Sequence, residues 1–367
     1  MTSTADCSTL PATDPTPAAQ REVGFAHSHD LADLLEGLNA SLLISTYQAG
    51  KLAVIGSRQR QLDVTLHNFD RPMGVATDRF SNAMAVAARD KVWMLHNDRK
   101  IASQLTPTRD HQACFLTRSA QMTGEIQAHE MAWAGNELWI VNTLFSCLCT
   151  LHPKFSFVPR WQPRFIDALA PEDRCHLNGL AVLDDKPKYV TAMAETNTAG
   201  GWRPNKAETG CLIDVTTGDT VARGFAMPHS PRVHMGNVWL LDSGRGALVR
   251  VDPTNGAVET AARFPGYTRG LAMGGRLAFV GLSKIRETST FGGVPIAENR
   301  ERLKCGVGVV DLYTGQLAGQ FEFTSGVDEI FDVSLVPSAK LTAMRGPYAH
   351  EDGAKTIWTV PTPDQGP

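Results

Sequence analysis

The sequence predicts an all-β protein and, within that class, a β-propeller of four-stranded blades. Three observations lead to this prediction. Helix signals are sparse along the chain. Short segments typical of strands recur with a period of roughly 35 to 55 residues, which is the signature of a repeat architecture. Gly-containing turns follow several of these segments and reverse the chain into a further strand.

The recurring unit contains three strand-like segments and an outer fourth one, as a propeller blade does. The unit is clearest in residues 237–258, NVWLLDSGRGALVRVDPTNGAV. The segments that open the units are GVATD, EMAWA, GLAVL, RVHMG, GLAMG and VSLVP, which begin at Gly74, Glu130, Gly179, Arg232, Gly270 and Val333. The second segments include ELWIVNT, NVWLLDSG and KLTAMRG, and the third include SCLCTLHP, ALVRVDPTNG and TIWTVP.

The count of opening segments bears on the number of blades. Six are present, and the preceding stretch Ser41–Gly56 reads as a hairpin that belongs to a further, N-terminal blade. Seven blades therefore fit the count best, and six are the alternative if the innermost strand of the N-terminal blade comes from elsewhere in the chain. A single blade cannot bury both of its faces, so the blades must stack around a common axis.

Outside the repeats the sequence predicts two tails and one helix. Residues 1–28 are predicted to be a disordered tail, because the first twenty are rich in Thr, Ala and Pro and lack the features of a signal peptide. Residues 29–40 are predicted to hold a short helix, with Leu31, Leu34, Leu35 and Leu38 on one face. Residues 41–361 form one propeller domain, and 362–367 a C-terminal tail.

Composition and charge exclude several classes of partner. Charged residues make up 20% of the chain and the net charge is −3, so no basic excess indicates nucleic-acid binding. No apolar run is long enough to span a membrane. The seven cysteines are scattered, and without an export signal we expect reduced thiols and a cytoplasmic location.

Propeller geometry places the start of each innermost strand around one mouth of the central channel. The loops between the second and third strands reach the same rim. Aligning the repeats puts one residue of each unit at an equivalent position: Met73, His129, Asn178, Pro231, Arg269 and Asp332. Two long loops, Glu195–Gly210 and Leu282–Lys304, are predicted to cap this mouth, since loops of such length are usually functional or disordered.

The residue types at this mouth indicate three roles. His129, His176 and Glu130 are the candidate catalytic residues, because imidazole and carboxyl groups transfer protons near neutral pH. Asn178, His129 and Asp332 are candidate ligands of a divalent metal, Ca, Mn or Zn. The candidate substrate-binding residues are Arg71, His229, Arg245, Arg269, Glu195 and Asn197, whose arginines suit an anion. The alternative is that these polar side chains only line a solvated channel.

Two blades resemble those of known propellers. Residues His176–Asn197 and Asn237–Gly256 are similar to blades of the gluconolactonase/regucalcin and strictosidine-synthase-like proteins. In those proteins an Asn-Gly-Leu segment places its Asn on a channel metal, and the resemblance assigns this role to Asn178. Pro231 occupies the position of the metal-binding Asp of the following blade, and no early Glu ligand is clearly matched.

The chain from about Ser41 to Pro361 more closely resembles a bacterial family of conserved hypothetical β-propeller proteins. The segments that carry this resemblance are SLLISTYQAGKL, HNFDRPMGVA, EIQAHEMAW, LWIVNTLFSCL and CHLNGLAV. The resemblance implies a propeller fold and no particular chemistry.

Two functions fit these observations. The first is a hydrolase or lyase that acts on a small polar or anionic molecule at the channel mouth, with gluconolactonase-like chemistry and with or without a metal. The second is a non-catalytic propeller that binds a small ligand or a partner protein. The fold cannot choose between them, because propellers host many unrelated functions.

Overall fold

The computed structural model of the chain describes residues 22–105, 109–285 and 292–360. Its strands are β1 Gly24–His27, β2 Ala40–Ser45, β3 Lys51–Arg58, β4 Gln61–Asn68, β5 Val75–Thr77, β6 Ala83–Ala87, β7 Lys91–Asn97, β8 Ala113–Met122, β9 Ala128–Ala134, β10 Glu137–Asn142, β11 Cys147–Thr150, β12 Val158–Trp161, β13 Leu177–Leu183, β14 Lys186–Ala192, β15 Gly210–Asp214, β16 Thr220–Phe225, β17 Pro228–His234, β18 Asn237–Asp242, β19 Ala247–Val251, β20 Val258–Arg263, β21 Tyr267–Gly274, β22 Leu277–Ser283, β23 Gly306–Asp311, β24 Leu317–Ser325, β25 Asp332–Pro337 and β26 Thr342–Arg345. The helices are α1 Leu31–Leu38 and α2 Arg99–Ala102, with 3₁₀ segments at Tyr47–Ala49, Ser243–Arg245 and Pro295–Arg302.

These strands form six sheets, which are the blades of a propeller. Blade 1 contains β25, β2, β3 and β4 from the inside outward, and blade 2 contains β5 to β8 with β26 added outside. Blades 3, 4 and 5 contain β9–β12, β13–β16 and β17–β20. Blade 6 contains β21 to β24 with β1 on its outer edge. The predicted all-β propeller of four-stranded blades is confirmed.

The preferred count of seven blades is wrong, and the alternative of six is right. The strands of Ser41–Asn68 and the strand at Val333 lie in one blade, where β25 pairs antiparallel with β2. The sequence count treated them as parts of two blades because nearly the whole chain separates them. The KLTAMRG segment also leaves the ring, since β26 pairs parallel with the outer edge of β8. Residues 354–360 form no strand.

Six apolar layers between consecutive blades show that the ring is closed. The layer between blades 1 and 2 contains Leu43 and Val86, and the layer between blades 6 and 1 contains Phe279 and Ile44. The other four layers lie between the remaining neighbours in the same way. Because β25 belongs to blade 1 and comes from the end of the repeats, closure joins the two ends of the domain.

The flanking segments differ in part from the prediction. Gly24–His27 lies within the predicted tail 1–28 but forms strand β1, which pairs with β24. The helix forms where the leucine spacing predicts it, and Leu31 and Leu35 are fully buried in the layer between blades 6 and 1. It ends at Asn39, whose φ of 50° terminates the helical hydrogen bonding. Residues 1–21 and 361–367 lie outside the described residues, as do 286–291 of the predicted capping loop.

The described cysteines are buried thiols with no disulfide between them. Cys147 and Cys149 share one face of β11 in the layer between blades 2 and 3, as core residues do. Burial raises the pKa of the Cys147 thiol to about 12, so this group is a thiol rather than a thiolate at neutral pH. Among the described residues, no helix is long and apolar enough to cross a bilayer.

Close packing of the inner strands gives a first prediction, for Gly281 of β22. A Cβ at Gly281 would clash with the backbone oxygen of Arg269 on β21. We expect Gly281→Ala to lower the free energy of unfolding by about 1–3 kcal/mol, because the backbone of one strand must move. Denaturant titration measures this change.

A glycine in open space is the matched control for this prediction. Gly37 lies inside α1, and a Cβ there would meet nothing within 4 Å. We expect Gly37→Ala to raise stability by about 0.5–1 kcal/mol, since alanine favours the helix. Equal stability of the two variants would contradict the described packing of β21 on β22.

Candidate active site

One end of the channel opens into a cavity of about 360 Å³, which we call the apical cavity. It lies where the innermost strands begin, as the sequence predicted for the functional mouth. Five of the six blades contribute to its wall. The lining residues are Tyr47, Gln48, Gln127, His129, Asp173, His176, Met193, Trp202, Arg203, Met227, His229, Tyr267, Arg269, Ser283, Lys284, Ile285, Glu329 and Phe331.

Three histidines from blades 3, 4 and 5 stand next to one another in this wall. The ring centroids of His129 and His176 are 4.9 Å apart, and those of His129 and His229 are 6.4 Å apart. Phe331 packs against His129, and Trp202 packs against His176. The imidazoles therefore form one cluster that is flanked by aromatic rings.

His129 is held through its Nδ1 atom. This atom lies 2.9 Å from the hydroxyl of Thr143, and that hydroxyl donates its only hydrogen to the backbone oxygen of Leu177 at 2.5 Å. The Thr143 oxygen can therefore only accept from His129. The Gln127 carbonyl, 3.4 Å away, is a second acceptor. His129 thus carries its proton on Nδ1, which leaves the Nε2 lone pair available.

His229, in blade 5, is held in the same way. Its Nδ1 donates to the backbone oxygen of Met227 at 2.9 Å and lies 3.0 Å from the Ser243 hydroxyl. Both histidines follow a residue with left-handed backbone two positions earlier, since φ is 54° at Gln127 and 53° at Met227. This backbone turn directs the carbonyl to the ring, and non-glycine residues in this region often accompany functional sites.

His176 pairs with a carboxylate instead of a carbonyl. Its Nδ1 lies 2.9 and 3.0 Å from the two oxygens of Asp173, and Trp202 donates its indole N–H to the same carboxylate at 3.0 Å. A carboxylate accepts but cannot donate, so the proton of neutral His176 also sits on Nδ1. An Asp–His pair of this kind orients a general base and stabilises its protonated form.

In its neutral form, each of the three imidazoles therefore presents an Nε2 acceptor in the cavity wall. Among the described residues, none forms a hydrogen bond with any of these Nε2 atoms. Burial, reinforced by the nearby Arg269 guanidinium, lowers the pKa of His129 and of His229 well below the usual value. Both rings are therefore neutral at pH 7, and their Nε2 atoms accept hydrogen bonds.

Cationic groups stand beside the histidines. The Arg269 guanidinium lies 3.5 Å from the Phe331 ring centroid and 3.4 Å from Glu329. Lys284 is 3.6 Å from Asp328, and Arg203 is 3.6 Å from Asp173. Each of these cations is paired with a carboxylate, but only two of the carboxylates, Asp173 and Glu329, line the cavity beside the three cations. The lining therefore has a small excess of positive charge, which favours an anion.

Glu130 and Asp332 lie beneath this cavity rather than in its wall. Glu130 forms an ion pair with Arg232 and accepts from the Leu180 backbone N–H at 3.0 Å. Asp332 accepts from the backbone N–H groups of Val75 and Val333 at 2.9 and 2.8 Å. Each carboxylate thereby ties its own blade to the next one.

Burial raises the pKa of Glu130 to about 7 and that of Asp332 to about 6, although Arg232 opposes both shifts. Asn178 lies at the same level and accepts from Thr191 at 2.6 Å, while its amide nitrogen is buried without a partner among the described residues. His129, Asn178 and Asp332 border a void of about 10 Å³, about the size of one water molecule.

Arg232 blocks the channel between its two ends. Its guanidinium contacts Glu130 of blade 3, the Leu180 carbonyl of blade 4 and the Leu271 carbonyl of blade 6. Below it lies a second cavity of about 540 Å³, the basal cavity, lined by the far ends of the inner strands and by Leu38 of α1. The apical and basal cavities are therefore separate sites.

The structure brings some of the predicted residues together and not others. His129, His176, His229 and Arg269 line the apical cavity. The remaining substrate-binding candidates do not. Glu195 pairs with Arg223, Asn197 accepts from Arg174, and Arg245 pairs with Asp242. Arg71 is exposed and lies outside the cavity wall.

The alignment that placed Pro231 at the rim is wrong by two residues. His129 and His229 each stand one residue after the first paired residue of their strand, Ala128 and Pro228. The alignment matched Glu130 with Arg232, whereas pairing with the second strands matches Ala132 with Arg232, since Ala132 pairs with Trp139 and Arg232 pairs with Trp239. Both inner strands carry one extra residue near their start, and a comparison of the opening segments alone does not reveal the cross-strand register.

Asp173 and Thr143 were missed by sequence reasoning. Asp173 stands three residues before His176 in the loop that enters β13, and this spacing is the only signal that the chain offers. Thr143 follows β10 directly and has no distinguishing pattern. As the side chains stand, no three His, Cys, Asp or Glu groups within residues 22–105, 109–285 and 292–360 are placed to hold a metal ion. The predicted divalent metal stays a prediction.

Fold and site together define a six-bladed β-propeller with a histidine-lined apical cavity. Residues 29–344 match the model of a domain family of unknown function, DUF4915, and the chain belongs to this family. This agrees with the resemblance to uncharacterised β-propellers. No curated protein matches the chain, and the resemblance to gluconolactonase and strictosidine-synthase-like propellers stays a prediction.

Three solved structures are similar to the chain, and the first of them supports the fold. One is a chain in a nidogen/laminin complex, at 8% identity and a TM-score of 0.54, covering 82% of this chain and 99% of that one. Another is a protein of unknown function from Bacteroides caccae, at 10% identity and a TM-score of 0.47, covering 81% of this chain and 98% of that one. A third is a streptogramin B lyase, at 10% identity and a TM-score of 0.40, covering 76% of this chain and 74% of that one.

Proposed function

We propose that the protein is an acid–base enzyme, a hydrolase or lyase, that acts on a small anionic molecule in the apical cavity. The observation that carries this proposal is the Asp173–His176 pair, whose Nε2 atom has no protein partner among the described residues. A neutral imidazole that is oriented by a carboxylate can remove a proton from a substrate or from water. Asp173 then stabilises the imidazolium that forms.

The surrounding residues supply binding and orientation. Arg269 and Lys284 offer positive charge to an anionic group, and the guanidinium of Arg269 is fixed above Phe331. His129 and His229 hold the substrate through their Nε2 acceptors. Proton transfer by a positioned side chain contributes roughly 10²–10⁴-fold to a rate, so this arrangement is sufficient for a moderately demanding reaction.

The test is conversion of metabolites by the purified protein. We expect mass spectrometry of a small-molecule cell extract to show at least one acid consumed by the wild type. His176→Gln is expected to lower the rate of this conversion by roughly 10²–10⁴-fold, because the base is lost. His96→Gln, at an exposed site on β7 outside the cavity wall, is the matched control.

Other outcomes would support the alternatives. An extract compound that is retained by the protein without being converted would favour the non-catalytic binding function. Loss of conversion after chelation, with recovery on addition of Ca, Mn or Zn, would support the predicted metal. Full activity of His176→Gln would contradict the proposal.

A further inference from the structure

We infer that the apical cavity selects an anion that carries several neutral hydrogen-bond donors, that is, a hydroxylated acid. The inference rests on the proposed function only in placing the ligand in the same cavity. It follows from whether the wall atoms donate or accept hydrogen bonds, which the tautomers of the three histidines determine. We call this property the hydrogen-bond polarity of the wall.

The wall presents acceptors where a ligand would meet the imidazoles. Each ring has donated its Nδ1 hydrogen to a group that must accept it: the Thr143 hydroxyl, the Asp173 carboxylate or the Met227 carbonyl. In the neutral rings, the three Nε2 atoms thus require donors from the ligand. Since they come from three different blades, a ligand with several donors fits them better than one with a single donor.

The charge of the wall decides which donors are suitable. Ammonium groups are donors too, but the lining contains three cations, Arg269, Arg203 and Lys284, against two carboxylates, so its net charge disfavours a cation. Hydroxyl groups donate without carrying charge. An acid with several hydroxyls therefore satisfies both parts of the wall: its carboxylate faces the cations, and its hydroxyls donate to the imidazoles.

Thr143 is the positioning residue that sets this polarity at His129. It is fully buried and spans blades 3 and 4, because its hydroxyl donates to Leu177 of β13. Without this hydroxyl, the Nδ1 atom of His129 keeps only the distant Gln127 carbonyl as an acceptor. The ring then populates the tautomer with hydrogen on Nε2. In that tautomer Nε2 is a donor, so a ligand hydroxyl can no longer donate to it.

A matched pair of ligands tests the inference on the wild-type protein. Quinate and cyclohexanecarboxylate share a ring and a carboxylate, but only quinate carries hydroxyls. We expect quinate to bind at least about tenfold more tightly in calorimetric titrations, since each net hydrogen bond is worth up to about tenfold in affinity. Glucosamine, a cationic polyol, is expected to bind more weakly than quinate. Equal affinities within the pair, or no binding of quinate, would overturn the inference.

Variants of Thr143 locate the effect. Thr143→Val is expected to reduce quinate affinity by about three- to tenfold and to leave cyclohexanecarboxylate unchanged, while Thr143→Ser restores the wild-type value. Nitrogen-15 NMR of the His129 ring reports the tautomer directly, and the tautomer would not change if Thr143 had only a structural role. An unchanged preference for quinate in folded Thr143→Val would contradict the role of Thr143.

The two proposals fail in different ways. Binding measurements need no turnover, so a hydroxylated acid that binds without being converted would support the ligand class and contradict the enzyme. Conversion of an extract acid together with equal affinities for quinate and cyclohexanecarboxylate would support the enzyme and overturn the ligand class.

Discussion

Asp173→Asn is expected to lower kcat/KM for the acid identified in the extract by roughly 10²–10⁴-fold, although the substitution changes only one side-chain atom. The asparagine amide can donate to Nδ1 of His176, which moves the imidazole hydrogen to Nε2 and removes the base. It also removes the negative charge that stabilises the imidazolium. Steady-state kinetics measure the loss, and nitrogen-15 NMR of His176 shows the tautomer change without any substrate.

The control for this prediction is Asp167→Asn, the same chemical change at an exposed carboxylate that pairs with Arg174. We expect this variant to retain wild-type kinetics. A value of kcat/KM for Asp173→Asn within about threefold of the wild type, a difference of under about 1 kcal/mol in the barrier, would rule out the Asp173–His176 pair as the base.

Arg232→Met is expected to lower the free energy of unfolding by about 3 kcal/mol at pH 8, because it leaves the buried Glu130 carboxylate without its ion-pair partner. The guanidinium also joins carbonyls of blades 4 and 6, whose hydrogen bonds are lost. We expect a smaller loss at pH 5, since Glu130 then takes up a proton in the folded variant and no uncompensated charge remains.

The direction of this pH dependence follows from proton linkage. Burial holds the pKa of folded Glu130 at about 7, against 4.5 for an ordinary Glu, so the folded protein binds this proton more tightly than the unfolded chain does. Its contribution to stability therefore falls as the pH rises from about 4.5 to about 7. Without Arg232 the pKa rises further, and the fall continues to higher pH.

Thermal or denaturant unfolding at pH 5 and pH 8 measures the difference between Arg232→Met and the wild type. Arg79→Met removes an exposed guanidinium that pairs with Asp185 at 3.3 Å, and we expect it to cost less than about 1 kcal/mol at either pH. A gap between Arg232→Met and the wild type that is equal at both pH values would contradict the described pairing of Glu130.

Much of the fold could be predicted from the sequence because propeller strands are local and repeated. Each blade from 3 to 5 is one continuous stretch of chain, and the strand and turn pattern is visible in it. The closure of the ring is not local. No short-range pattern shows that Val333 pairs with Ile44, and this non-local pairing is why seven blades were predicted instead of six.

The candidate site was predictable in position and only partly in composition. His129, His176 and Arg269 were found because the start of an inner strand always lies at the channel mouth. The repeat does not determine the path of the loops that follow the second strands. The sequence analysis therefore predicted Glu195 and Arg245 at the mouth, although both pair with residues outside it. Asp173 was missed because its role depends on a left-handed loop, with φ of 47°.

A pair of cavity-filling substitutions tests the central claim, that the apical cavity is where the protein binds and converts its ligand. Gln48→Trp would occupy the apical cavity from its exposed rim, and Ser334→Trp would occupy the basal cavity. We predict that folded Gln48→Trp no longer converts the extract acid, whereas Ser334→Trp converts it as the wild type does. Conversion by Gln48→Trp together with its loss in Ser334→Trp would contradict the account.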